Sequence, residues 1–445
     1  MQQAAATLEP MQLDTPPGSS APADTHLTIL PNGVRALVLQ QPWRQSVNLS
    51  VFIRAGSLHE SRRLNGISHV VEHMAFKGTH TRDCQRINLD AELLGAEVNA
   101  HTDKDHTAFH IDGMAANLPA FVAQLADIVL NSTFPEAELE RERQVILHEF
   151  TEFDEDPSAA AFRLFDRACY GQQAAGQPVI GNRANLKRIT RADLLAHVAQ
   201  RYTASQVVVA VAGPVDPESF ARQVETHFGA MPGGAAPALV APTWLGGLKL
   251  RRMATSSQCQ SVLGYAAPPV HDAAHLPWAV AAAVLGEGMS SPLLDQIRER
   301  RGLAYYAACS ADIGPLAGQF VVEAATAPEQ TSEYLSQVAQ LLQQQAASTD
   351  AVDLRRARNQ LAVRALRALE QPTRRLEAAA QEVFVFCRPR DTADHIEALQ
   401  AVTADAVRAV FATMLASPVA MALAGSVPAA ARVRAETLFG HAAEG

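Results

Sequence analysis

The 445-residue chain is poor in cysteine, in lysine and in long apolar runs. Its five cysteines, Cys84, Cys169, Cys259, Cys309 and Cys387, are widely spaced, and none forms a C-x-x-C pair. That argues against a disulfide framework and reads as idle or buried thiols in a reducing compartment. Positive charge is not in excess: the formal net charge is −9. A nucleic-acid binder would show a basic stripe, and a polybasic membrane-surface protein a lysine-rich cluster, so neither is expected. No apolar run reaches the roughly 18 residues that span a bilayer. Residues 1–25 have neither the basic start nor the apolar centre of a secretory signal, so the expected compartment is cytoplasmic. A leader removed beforehand would instead place the chain in the periplasm. Lysine is outnumbered by arginine 4 to 33, the composition of a GC-rich bacterial genome.

What is present is a soluble globular balance, 48% hydrophobic and 19% charged,. The length is about right for two domains of roughly 200 residues each. Residues 1–25, rich in Ala, Pro, Ser, Gln and Thr, read as a disordered tail. Short β-branched apolar runs at 34–40 and 46–53 predict strands, and 98–114 shows strand-like alternation. A helix is expected over 66–77, another over 118–130, and a third from Pro135 to about Phe153. Residues 207–212 read as a buried strand. A Pro/Gly/Ala-rich stretch marks a linker at 233–245. Beyond it the pattern restarts: Ala192-Asp193 recurs as Ala404-Asp405, Ala212-Gly213 as Ala424-Gly425, and Phe228-Gly229 as Phe439-Gly440, at offsets of 212, 212 and 211. A near-constant offset implies an internal duplication. The expected fold class is α+β, with two homologous domains, 26–232 and 246–440, each a mostly antiparallel sheet with helices packed on it.

The segment His69-Val-Val-Glu72-His73 carries the chemistry. On a helix, His69 and His73 lie one turn apart on one face, and Glu72 shares it. Two imidazoles suit zinc, and a catalytic zinc needs three protein ligands and an open position. The pattern is H-x-x-E-H, the inverse of H-E-x-x-H. The acidic stretch 136–149 is the obvious source of a third ligand. Glu142 and Glu149 are seven apart and point the same way, and physical reasoning alone does not choose between them. His101, His106 and His110 read as a polar strand face rather than a further metal cluster. Gly286-x-Gly288 lacks the Lys-Ser/Thr of a phosphate-binding loop, so no nucleotide site is expected.

With these residues in view, the chain resembles the pitrilysin-type zinc metallopeptidases, most closely the short subfamily of mitochondrial processing peptidase and its bacterial relatives. The resemblance rests on 69–79 and on Glu140-Arg-Glu142-Arg-Gln-Val-Ile-Leu-His-Glu149. Glu149 stands 76 positions after His73, the spacing at which the family places its glutamate ligand. The resemblance therefore implies zinc, one ion per chain, on His69, His73 and Glu149. It makes Glu72 the catalytic base and Glu142 a carboxylate that tunes the ligands from behind. Asn99-Ala100 resembles the family's edge strand, to which an extended peptide substrate adds. Arg298 and Tyr305 match a substrate-binding pair of the second domain. The implied activity is endopeptidase cleavage of unfolded peptides or leader segments in a chamber closed by two chains. A homodimer is the expected partner arrangement, and a heterodimer with a related subunit is the other. The competing reading is a non-catalytic partner subunit, which in this family usually lacks one of the motif residues.

Overall fold

A computed structural model describes residues 24–234 and 239–439. The expected tail 1–25 lies outside the described residues apart from Asp24 and Thr25, as do linker residues 235–238 and Gly440.

The chain divides into two compact units. The first is built on a six-stranded sheet of β1 (Thr25–Ile29), β2 (Arg35–Gln40), β3 (Ser46–Ile53), β4 (Glu97–Thr102), β5 (Thr107–Met114) and β6 (Val207–Gly213), in the order β1-β2-β6-β3-β5-β4. The second has β7 (Gly247–Arg252), β8 (Cys259–Ala267), β9 (Ala304–Ile313), β10 (Gly318–Thr326) and β11 (Ala420–Gly425), in the order β7-β11-β8-β10-β9. Removing β1 makes the two orders equivalent strand for strand. In each sheet one pair is parallel, β2 with β6 and β7 with β11, and the other pairs are antiparallel. The duplication inferred from short repeats is thus visible as topology. Gly213 and Gly425 end equivalent strands with φ of 152° and 95°, a region that favours glycine,. At each, the carbonyl accepts from the residue two positions on, Val215 or Val427.

Alternation explains the layers. In β6, Val207, Val209 and Val211 point into one core, which the helices around the H-x-x-E-H motif cover. Val208, Ala210 and Ala212 point to the opposite face with Leu37, Leu39 and Phe52. A strand buried on both faces reads as a continuous apolar run rather than an alternating one, which is how Val-Val-Val-Ala-Val-Ala appears in the sequence.

The helix covering that second face is Pro372–Phe386, which packs on β3 and β6 through Leu376, Ala379, Ala380 and Val383. Conversely, the helix Pro157–Tyr170 packs on β7, β8 and β11. The units therefore depart from a contiguous division at 232–246: residues 151–176 belong to the second unit and 367–392 to the first. Both helices are amphipathic in ordinary ways, and nothing local in them specifies which sheet they cover. Gly264 on β8 admits the Pro157–Tyr170 helix, since a Cβ there would lie 2.6 Å from the Phe165 ring. The C-terminal end of the expected linker is ordered: Thr243 N–H donates to Gln173, and the Trp244 indole donates to the Pro418 carbonyl. No single described helix is long and apolar enough to cross a membrane.

Candidate metal centre

The motif helix, Ile67–Ala75, is set by its buried side. Ile67, Val70, Val71 and Met74 enter the first unit's core, leaving His69, Glu72 and His73 on the other side. Its N-terminus begins after Gly66, at φ 99°. The Glu60 carboxylate accepts from Gly66 N at 2.7 Å and Ser68 N at 2.8 Å, satisfying two donors that a helix start leaves free,. Burial pushes the Glu60 carboxyl up, against those hydrogen bonds.

The acidic helix, Glu136–Glu155, buries Leu139, Ile146 and Phe150. It starts after Phe134, a buried residue in the left-handed region at φ 47°, whose carbonyl is held by Arg191. That turn aims Glu142 and Glu149 at the motif helix, and the structure gives them different partners. Glu142 Oε2 accepts from His73 Nδ1 at 3.0 Å, and Glu142 Oε1 pairs with Lys77 Nζ at 2.6 Å. Glu149 reaches the opposite side of the rings. Its Oε1 lies 3.5 Å from His73 Nε2, and its Oε2 lies 3.7 Å from His69 Nε2.

One donor atom from each of His69, His73 and Glu149 lies within 4.8 Å of the others. The nitrogen–oxygen distances are too long for good hydrogen bonds. They match the separation of about 3.4 Å between two donors on a tetrahedral ion with bonds of about 2.0–2.1 Å. The chemistry of the set, two imidazoles and one carboxylate, is that of a zinc site with an open position. His69 fits a ligand role in a second way. Burial, then the neighbouring His73, holds its pKa down to about 3, so the ring is neutral with a lone pair to give. Its Nδ1 is buried without a hydrogen-bond partner.

Glu72 adjoins this group. Burial pushes its carboxyl up, and Glu149 adds to the rise. The Thr102 hydroxyl, donating at 2.6 Å, and nearby His73 and His101 oppose it. Thr102 closes β4, the edge strand of the first sheet. Thr102, Lys77 and Glu60 were not singled out as site residues from the sequence. Thr102 and Lys77 act across the fold, on Glu72 and Glu142, whereas Glu60 acts on the nearby start of the motif helix without forming a standard capping pattern.

Asn99 and Ala100 lie mid-strand on β4. The Ala100 N–H is taken by the Asn99 side chain at 2.8 Å, so the edge is capped by its own residue,. Arg298 and Tyr305 lie in the second unit. The Arg298 guanidinium sits 5.0 Å over the Tyr305 ring, and Tyr305 is 83% exposed. Arg298 is carried on a π-helical turn, Asp295–Glu299.

Residues 35–183 match the family Insulinase (Peptidase family M16), and residues 188–361 match Peptidase M16 inactive domain. The chain is 33% identical over 323 residues to an uncharacterized zinc protease of Mycobacterium tuberculosis, covering 71% of this chain and 73% of that one. It is 34% identical over 269 residues to the mitochondrial-processing peptidase subunit beta of Lentinula edodes, covering 60% of this chain and 55% of that one. Among solved structures it is similar to a peptidase M16 inactive domain from Pseudomonas fluorescens, with a TM-score of 0.82 at 21% identity, over 91% of this chain and 99% of that one.

Proposed function

The chain belongs to the insulinase (M16) family of peptidases, and on that premise we propose that it is an active zinc endopeptidase acting on unfolded peptides or leader segments. The observation that carries this reading is the meeting of His69, His73 and Glu149 beside Glu72 in one unit. A subunit that only lent shape to a partner would have no need of all four.

His69, His73 and Glu149 are the residues that would hold zinc. An ion held there supplies Lewis acidity to a water and to the scissile carbonyl. Glu142, anchored by Lys77, fixes the His73 tautomer so that Nε2 faces the ion,. Glu72 takes a proton from the water as its oxygen bonds to the carbonyl carbon, and passes that proton to the nitrogen as the C–N bond breaks. Thr102 holds the Glu72 carboxyl for this transfer. A peptide strand adds to the open edge of β4, exchanging the Asn99 cap on Ala100 N–H for its own carbonyl,. Arg298 and Tyr305 are the candidate donors of the second unit to the substrate carbonyl. The assembly is proposed as a homodimer whose two chains close a chamber, with a heterodimer as the other arrangement.

The test is zinc content and cleavage of an unstructured peptide mixture, measured on the wild type and three variants. Glu72→Gln is expected to keep its zinc and lose about 100- to 10,000-fold in rate. Glu149→Gln is expected to lose both zinc at this centre and activity. Tyr305→Phe is expected to keep zinc and lower kcat. A wild type that holds zinc yet cleaves nothing, alone or concentrated, would shift the assignment to the partner-subunit reading. Full activity in Glu72→Gln would refute the assigned base.

A further inference from the structure

A second group of donors lies in the first unit, and the mechanism above does not use it. We propose that His101, Asp103, His106 and Glu377 form a second, closed metal site for zinc or a similar late first-row divalent ion, distinct from the H-x-x-E-H centre. One donor atom from each of the four lies within 4.8 Å of the others. Glu377 Oε1 is 3.7 Å from His101 Nε2 and 3.6 Å from His106 Nε2. Those separations repeat the 3.5 Å and 3.7 Å between Glu149 and the motif histidines. They are long for hydrogen bonds and match two donors on one tetrahedral ion.

The independent observation is His106. It is 1% exposed, and neither of its ring nitrogens has a hydrogen-bond partner. A buried polar group without a partner costs about 1–3 kcal/mol, so it calls for an explanation. A solvated polar strand face, the first reading of these histidines, does not fit a ring excluded from water. An ordinary His–Glu ion pair accounts for half-exposed His101 but leaves His106 unsatisfied. An ion between them gives the Nε2 atom of each ring a partner.

The backbone holds the site ready. Asp103 N–H donates to the His106 carbonyl at 2.8 Å, making a tight loop between β4 and β5. Ser57 and Leu58 N–H donate to the carbonyls of Asp103 and Lys104. Gly56 lets that loop sit close, because a Cβ there would lie 2.3 Å from the Asp103 carbonyl oxygen. Glu377 comes from the Pro372–Phe386 helix, which is fixed on the sheet through neighbouring Leu376. Four protein donors fill a tetrahedral shell, so this site is structural rather than catalytic. It clips that helix to the loop that follows Thr102, the residue that orients Glu72.

The experiment equilibrates the full-length chain with buffered Zn2+ and counts zinc per chain by atomic emission, with circular dichroism to confirm folding. Wild type is expected to hold about two zinc ions. Glu149→Gln and Glu377→Gln are each expected to hold about one, and the double variant none. His101→Phe changes a half-exposed position and gives a second route to the loss if Glu377→Gln folds poorly. If Glu377→Gln and His101→Phe both hold as much zinc as wild type, the second site is overturned. It is equally overturned if Glu149→Gln alone empties the protein. If zinc is lost with Glu377→Gln but not with Glu149→Gln, the second site stands and the H-x-x-E-H assignment fails instead.

Discussion

His73 offers two nitrogens, and Glu142 decides which of them faces the metal group. Because Glu142 accepts from Nδ1, the lone pair at Nε2 is left pointing toward Glu149 and His69. Lys77 shares the Glu142 carboxylate, pairing with its other oxygen at 2.6 Å. Removing such an outer contact typically weakens metal binding about 10- to 100-fold. Glu142→Ala is therefore expected to raise the zinc dissociation constant by about that factor, as read by competition with a chromophoric chelator. Glu142→Gln keeps an acceptor for Nδ1–H and is expected to lose less. Equal losses in the two variants would mean the charge matters and the hydrogen bond does not. At this scale the sequence is most legible where contacts are local. His69, Glu72 and His73 share a face by helical spacing alone. The division of labour between Glu142 and Glu149 is not local. It depends on how one helix crosses another, and spacing seven apart treats the two alike. Thr102 was invisible for the same reason, since it meets Glu72 across the fold.

At the scale of elements, two buried histidines carry a pH dependence, and one of them, His197, touches the motif helix. His197, on the helix Arg191–Arg201, touches Ser68 Oγ at 3.4 Å. His59 Nε2 contacts the Asp105 carbonyl at 3.1 Å. Burial, reinforced by Arg201, holds His197 down to about 4; burial, with Arg54 and Arg201, holds His59 down to about 3. In the unfolded chain both rings take up protons near pH 6.5. Below that pH the unfolded state binds more protons than the folded one, so stability is full above pH 6.5 and falls as pH drops toward 4. His197→Gln removes one such proton. Its stability is expected to fall less steeply over that window, by about 1.4 kcal/mol per pH unit, in denaturant titrations of both proteins. Parallel slopes would mean that His197 is not buried neutral. The elements themselves were largely readable. The strands at 34–40 and 46–53 and the helices at 66–77 and 118–130 follow from apolar periodicity. Which sheet the helices Pro157–Tyr170 and Pro372–Phe386 cover was not readable, because an amphipathic stripe specifies that something is covered and not what.

That exchange sets a condition on the whole molecule. Duplicated halves of about 210 residues suggest two modules that fold independently, and the repeat offsets point the same way. The packing does not. The first sheet has a second apolar face, with Leu37, Leu39, Phe52 and Val208, and its cover comes from residues 367–392. Leaving those four side chains bare forfeits on the order of 8 kcal/mol, at about 2 kcal/mol each. That is comparable with the whole stability of an ordinary domain, about 5–15 kcal/mol. The same fragment would also carry the helix Pro157–Tyr170 without the second sheet, whose β8 and β11 it packs against. A fragment of residues 24–239 is therefore expected to show helical circular dichroism but no cooperative thermal transition, and to bind a dye that reports exposed apolar surface. Adding a peptide of residues 367–392 is expected to reduce dye binding and restore a transition, since it supplies Leu376, Ala379, Ala380 and Val383 to the open face. A fragment that unfolds cooperatively by itself, at the midpoint of the full chain, would show that the halves are self-sufficient. The exchanged helices would then be a late addition to two complete modules rather than part of what makes either one fold.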